Sequence, residues 1–159
     1  MPIDGIRRCT ICGMEVPQTI FWCPACGTMV ASDPRHEDVR CEFHPDQCAE
    51  GFCEVCSKPL CAECLERRDG KAVCRDPLHA EMLSSWVCVV DSLSEFEVDM
   101  VARNLELADI QPRVFFRRAH AGAILAKEFT GGRVYVPRSQ SGLAAAAITI
   151  LLEDSTTIV

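Results

Sequence analysis

The apolar residues from about Ser84 onward recur at spacings that predict alternating strands and helices. Short runs rich in Val and aromatic residues predict strands, and apolar residues three and four positions apart predict helices. The predicted strands are 86–90, 113–118 and 133–136, and the predicted helices are 93–108 and one that Ser139 or Ser141 caps and that ends near Leu152. A weak edge strand is predicted at 156–159. The order βαββα, closed by this last strand, predicts an α+β sandwich with both helices on one sheet face.

Within the first predicted helix, apolar residues at spacings of one, three and four form one stripe that we expect to be buried. Its members are Phe96, Met100, Val101, Leu105 and Ala108. Ser92 or Ser94 is expected to cap the start of this helix, and Asp109 to end it in a left-handed conformation. Cys88 lies in an apolar run and is expected to be a core residue.

Alternation along the two later strands assigns their side chains to opposite faces of the sheet. The residues expected to face the helices are Val114, Phe116, Val134 and Val136. The residues expected on the opposite, open face are Arg113, Phe115, Arg117, Arg133 and Tyr135. Such a face suits a subunit interface, cover by the rest of the chain, a small ligand, or the stacking of RNA bases.

The first half of the chain has few large apolar residues and is instead rich in cysteine. Its first four candidate metal ligands are Cys9, Cys12, Cys23 and Cys26. Two residues separate the cysteines of each pair, so that one turn presents two thiolates, and Zn²⁺ prefers four such ligands in a tetrahedron. Gly13 and Gly27 follow these turns and accept a left-handed backbone. Residues 1–32 resemble a zinc ribbon.

Eight further candidate ligands follow in four sequential pairs. The pairs are Cys41 and His44, Cys53 and Cys56, Cys61 and Cys64, and Cys74 and His79. Cys56 and Cys61 are so close in the chain that their two pairs do not easily reach one ion. We therefore expect the first and third pairs to share one zinc ion and the second and fourth pairs another, although spacing alone leaves a sequential pairing open. Cys48 is an alternative ligand to His44. Twelve ligands in all predict three zinc ions per chain.

The segment from Cys41 to His79 resembles a B-box zinc finger. The resemblance rests on Cys-x2-His-Pro, on Cys-x2-Cys-x2-Pro-Leu-Cys-x2-Cys, and on the final Cys-x4-His. It implies a cross-braced ββα-type fold over residues 38–83 and supports the interleaved pairing of ligands. B-box domains mostly mediate protein association and self-assembly, so the resemblance also implies a protein partner or a homo-oligomer.

Residues 85–153 resemble a bacterial family of signal-transducing proteins whose fold is similar to that of the nitrogen-regulatory PII proteins. The resemblance rests on Trp86-Val-x-Val, on Ser94-Glu-Phe-Glu and on Val134-x-Val-Pro. It implies a ferredoxin-like fold over residues 84–159, a bacterial source, and a role in sensing or interaction with no defined reaction.

Charge and the start of the chain bear on partners and location. The net charge is −7, and none of the three predicted segments is net basic, which favours protein partners over nucleic acid. No signal peptide is visible in the first residues, and the apolar run 143–152 is too short to span a bilayer. We therefore expect a soluble cytoplasmic protein whose reduced thiols bind zinc and do not form disulfides.

Together these features predict a zinc-binding cytosolic adaptor or signal-transducing protein in which zinc is structural. No enzymatic activity is predicted, because four protein ligands leave no open metal position and no nucleophile has a matching base. Two alternatives belong to other classes. One is an RNA- or small-ligand-binding regulator that uses the open sheet face. The other is a redox-sensing zinc-thiolate protein in which Cys48 is the labile thiol.

Overall fold

The computed structural model describes residues 5–30, 39–92, 94–117 and 131–156, with side chains as far as Leu151. These residues form two compact units, of which the first ends at Ala80 and the second begins at Glu81. The boundary lies inside helix α1, Pro77–Ser85. Among the described residues, every helix is too short or too polar to span a bilayer.

The described part of the first unit contains three antiparallel hairpins of very short strands. β1 Ile6–Arg8 pairs with β2 Glu15–Pro17, β3 Gly51–Phe52 with β4 Pro59–Leu60, and β5 Glu66–Arg68 with β6 Lys71–Val73. Asp69 and Gly70 have φ angles of 51° and 78° and form the tight turn between β5 and β6. Hairpins of this length are not stable alone in water, so the unit needs additional cross-links.

Residues 5–30 contact residues 39–80 through main-chain hydrogen bonds and aromatic rings. The amide-to-carbonyl bonds run from Met29 to Glu50 (2.9 Å), from Phe52 to Gly27 (2.8 Å) and from Ala72 to Cys26 (2.9 Å). The rings of Phe21, Trp22 and Phe52 pack edge to face with centroids 5.1, 6.0 and 6.2 Å apart. The sequence predicts two modules in series here, and the structure joins them in one compact unit.

The second unit has the element order βαββα that the sequence predicts. Its elements are β7 Trp86–Ser92, α2 Glu95–Leu107, β8 Arg113–Phe116, β9 Gly132–Pro137 and α3 Ser141–Thr156. β9 lies between β7 and β8 and is antiparallel to both, which makes the sheet order β7-β9-β8. Thr156 belongs to α3 and not to the predicted edge strand, whose other residues lie outside the described part of the chain.

Both helices bury an apolar cluster against one face of this sheet. Its buried members are Val98, Val101, Leu105, Ile110, Val134, Val136 and Ala144. Val114 packs against the cluster, as predicted. Phe116 was predicted to face the helices as well, but it is exposed and lies outside the cluster. Phe116 is the last residue of β8, so no later residue of this strand packs beside it to extend the core.

Helix α2 begins and ends as predicted but buries only part of the predicted stripe, including Val101 and Leu105. The amide of Glu97 donates to Oγ of Ser94 (3.3 Å), and Asp109 has a left-handed φ of 58°. The buried side chains of α2 are Val98, Val101, Ala102 and Leu105. The prediction was wrong at Phe96, which is 76% exposed, and at Ala108. Apolar residues occur on two sides of this helix, and only the side with positions i, i+3, i+4 and i+7 meets the sheet.

Part of the opposite face of the sheet is shielded from solvent, which agrees with cover of this face, one of the arrangements considered from the sequence. Tyr135 is only 4% exposed, and its ring packs edge to face on Phe115 at 5.8 Å. The other pairs on this face join Arg117 to Asp91, Arg133 to Asp91, and Arg113 to the Trp86 ring. Its charged and aromatic side chains therefore contact one another.

Cys88 is exposed, which contradicts its predicted place in the core. A β-bulge interrupts the pairing of β7 with β9 between Cys88 and Val90. Because the bulge inserts one residue, Val89 and Val90 both pack against the core and Cys88 does not.

Candidate metal centres

The twelve predicted ligands come together in three groups of four. Site 1 is Cys9, Cys12, Cys23 and Cys26; site 2 is Cys41, His44, Cys61 and Cys64; site 3 is Cys53, Cys56, Cys74 and His79. Within each group the four ligand atoms all lie within 4.8 Å of one another. Usual zinc–ligand distances place two sulfur atoms of a tetrahedral site about 3.8 Å apart, and a sulfur and a nitrogen about 3.6 Å apart. The spacing in each group therefore fits one metal ion.

Site 1 is formed by two turns that face each other. Sγ of Cys9 lies 3.5 Å from Sγ of Cys26, and Sγ of Cys12 lies 3.5 Å from Sγ of Cys23. Cys12 is exposed and the other three are buried. Both distances are close to the edge of a tetrahedron of sulfur atoms around zinc.

Local backbone geometry at site 1 stabilises negative charge on sulfur. Gly13 and Gly27 both have a φ of 74°, as predicted, and the amide of Gly13 closes its turn on the carbonyl of Cys9 (2.9 Å). Burial acts to raise the pKa of Cys9, but backbone N–H groups of Cys12 and Ile11 point at its sulfur and lower the pKa to about 7. This turn therefore favours a thiolate, the form that binds metal.

Burial opposes negative charge on two further sulfur atoms of site 1. Burial raises the pKa of Cys23 to about 12. Burial also raises the pKa of Cys26, although the hydroxyl and amide of Thr28 act to lower it. A divalent cation at the centre of site 1 would favour the thiolate form of these cysteines, because its positive charge offsets the cost of burying negative sulfur.

Site 2 combines the turn at Cys41 with the turn that follows β4. Nδ1 of His44 lies 3.4 Å from Sγ of Cys61 and 3.3 Å from Sγ of Cys64. Burial acts to raise the pKa of Cys41, but amides of Cys61, Phe43 and His44 outweigh it and lower the pKa to about 7. Site 2 thus repeats the amide-to-sulfur arrangement of site 1.

Site 3 lies between the turn after β3 and the start of α1. Nδ1 of His79 lies 2.9 Å from Sγ of Cys74 and 3.6 Å from Sγ of Cys53. Nε2 of His79 faces the carboxylate of Asp76 at 3.8 Å. The same carboxylate accepts a hydrogen bond from the amide of Leu78 (2.9 Å) and so caps the first turn of α1. A carboxylate behind a histidine ligand orients the ring toward a metal.

The charges in site 3 also favour a cation. Hydrogen bonds that the His79 ring donates to the sulfur atoms of Cys53 and Cys74 raise the pKa of His79 to about 10. Hydrogen bonds from Cys56 and Cys74 hold the pKa of Cys53 far below its usual range, and the shared hydrogen bond with Cys53 raises that of Cys56. These hydrogen bonds make Cys53 the sulfur of site 3 that most readily becomes a thiolate, the form that binds metal.

The grouping agrees with the interleaved pairing and not with the sequential alternative. Site 2 takes the first and third pairs of ligands, and site 3 takes the second and fourth. His44 belongs to site 2, and Cys48, the alternative ligand, does not. Sγ of Cys48 instead lies 3.2 Å from a guanidinium nitrogen of Arg40. The short β3–β4 hairpin explains the pattern, since it separates the turn of Cys53 from that of Cys61.

Two residues next to the sites were missed by the sequence analysis. Asp76 precedes Pro77 at a typical helix start, a signal that predicts the cap but not the contact with His79. Thr28 follows Gly27 and contacts Cys26, and no sequence signal distinguishes it from other threonines in turns.

Comparisons of the chain with models of known protein families, with curated protein sequences and with solved structures find no match. The chemistry of the three sites therefore rests on their own residues and geometry. Three groups of cysteine and histidine ligands, each spaced to fit one metal ion, are compatible with structural zinc binding.

Proposed function

We propose that the chain binds three zinc ions, at sites 1, 2 and 3, and that zinc holds the first unit folded. The observation that carries this proposal is the convergence of three separate groups of four cysteine or histidine ligands. Thiolate and imidazole ligands in a tetrahedron favour Zn²⁺ over harder cations. Four protein ligands leave no position for water or substrate, so we assign the metal a structural role and no reaction.

Native mass spectrometry of protein purified without added metal tests the metal content. The expected result is three zinc ions per chain, and the same spectrum gives the oligomeric state. Two zinc ions or fewer would contradict at least one site, and labelling of free thiols would then identify which group of ligands is empty.

The function we propose for the zinc-bound unit is that of an adaptor that binds a protein partner. Ile11, Met14 and Phe43 support this, because each lies within or beside a metal-binding turn and is exposed to solvent. A turn held by a metal presents such side chains rigidly, which lowers the entropy lost on binding. Exposed apolar side chains on a rigid support are typical of partner-binding surfaces.

Substitution of these exposed side chains tests the adaptor role. Ile11→Ser with Met14→Ser, or Phe43→Ser alone, should abolish co-purification of a partner while three zinc ions stay bound. Leu107→Ser is the control, because Leu107 is apolar and even more exposed but belongs to α2 of the second unit. Unchanged co-purification in all three proteins would contradict a partner surface at the zinc turns.

The fold resemblances belong to the same proposal. The interleaving of sites 2 and 3 supports a B-box-type cross-brace over residues 38–83. The sheet order β7-β9-β8 with both helices packed on one cluster supports a ferredoxin-like second unit. We infer a cytoplasmic signalling adaptor, since reduced thiols fit the cytoplasm and the B-box resemblance implies protein association. The resemblance of residues 85–153 adds a bacterial source and a role in signalling.

The burial of Tyr135 argues against the RNA-binding alternative. Stacking of bases needs aromatic rings that are open to solvent, and Tyr135 is buried against Phe115. A filter-binding assay across a salt series provides the test, and we expect no binding of single-stranded RNA at physiological salt.

A further inference from the structure

Thr28 connects a cysteine of site 1 to an arginine in the other segment of the first unit. Oγ1 of Thr28 lies 3.2 Å from Sγ of Cys26 and 2.9 Å from Nη2 of Arg67, which belongs to β5. Thr28 is buried. A continuous chain of hydrogen bonds therefore runs from β5 to the first metal site.

The chemistry of Arg67, Thr28 and Cys26 determines which group donates in each hydrogen bond when a metal is bound. A guanidinium has donors and no acceptor, so Arg67 donates to Oγ1 of Thr28. A metal-bound cysteine is a thiolate without a proton and only accepts. The single hydroxyl proton of Thr28 then points at Cys26, and the positive charge of Arg67 strengthens that hydrogen bond.

Site 1 needs such support more than the other sites do. Its four cysteines around a divalent ion leave a net charge of −2, whereas a histidine in place of one cysteine leaves −1 at sites 2 and 3. Hydrogen bonds and nearby positive charge stabilise buried negative sulfur. Arg67 supplies both to site 1 through Thr28.

The main chain holds Arg67 in place for this role. Arg67 pairs with Ala72 in the β5–β6 hairpin, and the amide of Ala72 donates to the carbonyl of Cys26 (2.9 Å). The same hairpin thus contacts Cys26 through the backbone of Ala72 and through the side chain of Arg67. These two contacts fix Arg67 relative to Cys26, so its guanidinium is held where it can donate to Thr28.

We propose that Thr28 and Arg67 are positioning residues for site 1, which hold the Cys26 thiolate on its metal ion and make zinc retention there depend on the β5–β6 hairpin. This inference rests on the proposed function, in which site 1 binds zinc. The chemical partner of the pair is the metal-bound thiolate of Cys26.

Release of zinc to a colorimetric chelator from the full zinc-loaded chain tests the role of Thr28. Thr28→Val removes the hydroxyl at nearly constant volume, and Thr28→Ser keeps the hydroxyl and serves as the rescue control. We expect one of the three zinc ions to leave the Val variant about tenfold faster than the wild-type chain, with the Ser variant close to wild type. The other two ions should leave all three proteins at the same rates.

Cobalt substitution gives a readout that loss of packing alone would not change. Removal of a hydrogen bond to a metal-bound sulfur raises the energy of its lone pair, so the sulfur-to-cobalt charge-transfer band of site 1 should move to longer wavelength in Thr28→Val. Thr28→Ser should keep the wild-type band. Release rates and spectra that are the same in the wild-type chain and the Val variant would overturn the role of Thr28.

Arg67→Met removes the first donor of this series of hydrogen bonds and leaves every metal ligand and Thr28 in place. Arg68→Met is the matched control, because Arg68 is the next residue of β5 and pairs only at the surface with Glu66 (3.0 Å). We expect faster loss of one zinc ion in the Arg67 variant and the wild-type rate in the Arg68 variant. Equal rates in the two variants would overturn the role of Arg67.

If Thr28→Val does not fold, the comparison of Arg67→Met with Arg68→Met still decides the proposal. Fewer than three zinc ions in the wild-type chain would instead contradict the proposed function itself.

Discussion

Gly27 combines a left-handed backbone with the close approach of a neighbouring strand. Its φ is 74°, and a Cβ atom at this position would lie 2.4 Å from the carbonyl oxygen of Phe52. Gly13 has the same φ, but a Cβ atom there would meet nothing within 4 Å. Substitution of Gly13 therefore tests backbone strain alone, and substitution of Gly27 tests backbone strain together with the contact between the two segments of the first unit.

Alanine substitution at both positions measures the two effects. Gly13→Ala should lower the free energy of unfolding by about 1–2 kcal/mol through backbone strain alone. Gly27→Ala should cost about 1–3 kcal/mol more, because the backbone of Phe52 must move to admit the methyl group. Urea unfolding of the zinc-loaded proteins, followed by circular dichroism, gives both values. Equal losses in the two variants would show that the contact with Phe52 contributes nothing.

Asp91 is the carboxylate shared by two ion pairs on the sheet face opposite the helices. It pairs with Arg133 (2.9 Å) and with Arg117, whose side chains are both largely buried. Burial acts to raise the pKa of Asp91, but the two guanidinium groups outweigh it and lower the pKa below the ordinary value of 3.8. A carboxyl group with a lowered pKa in the folded state stabilises the fold above its ordinary pKa, and this contribution is lost as pH falls through the lowered value.

Asp91→Asn should therefore destabilise the second unit by about 1 kcal/mol at neutral pH and flatten the decline of its stability below about pH 4. Asp99→Asn is the control, since the Asp99–Arg103 pair is exposed on α2 and should change stability little. In a Trp22→Phe background, Trp86 is the remaining tryptophan and reports unfolding of the second unit by fluorescence. The same pH profile in both Asp variants would rule out this role for Asp91.

At the scale of elements, α2 shows how tertiary contacts select one side of a helix. Leu105 is 1% exposed and Leu107, two residues later, is 85% exposed. Leu105→Ala should lower the free energy of unfolding of the second unit by about 2–5 kcal/mol, because it leaves a cavity in the core. Leu107→Ala should change it by about 0.5 kcal/mol or less. Thermal unfolding of the two variants measures the difference, and similar midpoints would contradict the burial of Leu105 against the sheet.

The strands of the first unit are held together by the metal sites at their ends. β3 and β4 have two residues each, and Cys53 and Cys61 follow directly after them. Such strands bury too little surface to offset the entropy lost on ordering them. The metal sites at their ends replace a core in holding them together.

For the whole molecule, the two units should respond differently to metal removal. Each bound zinc ion is expected to contribute on the order of 10 kcal/mol of apparent folding free energy to a domain of this type. A strong chelator should therefore unfold residues 5–30 and 39–80 together, because amides of Phe52 and Ala72 bond to carbonyls of the first segment. The second unit contains no predicted ligand among its described residues and should stay folded.

Hydrogen exchange with and without the chelator distinguishes these outcomes segment by segment. We expect amides of the first unit to lose protection and those of β7, β9 and α2 to keep it, with recovery when excess zinc is restored. Loss of protection in both units would show that the second unit needs the first, and full protection of both would contradict a structural role for zinc.

The ligands, the metal-binding turns and the elements of the second unit could be predicted because each depends on residues close together in the chain. A Cys-x2-Cys turn, the left-handed glycines after Cys12 and Cys26, and the Ser94 cap of α2 follow from local spacing and local hydrogen bonds. The order βαββα likewise follows from periodicity within each element.

What the sequence by itself determined about this protein was therefore the identity of its candidate ligands, its turns and the order of its elements. Tertiary structure decided which ligand pairs share a site, how the first two segments join, which side of α2 is buried, and that the ring of Tyr135 is buried against Phe115. It also brought Thr28 and Arg67 into contact. These features depend on contacts between residues distant in the chain, and local spacing carries no information about which distant surfaces will pack against each other.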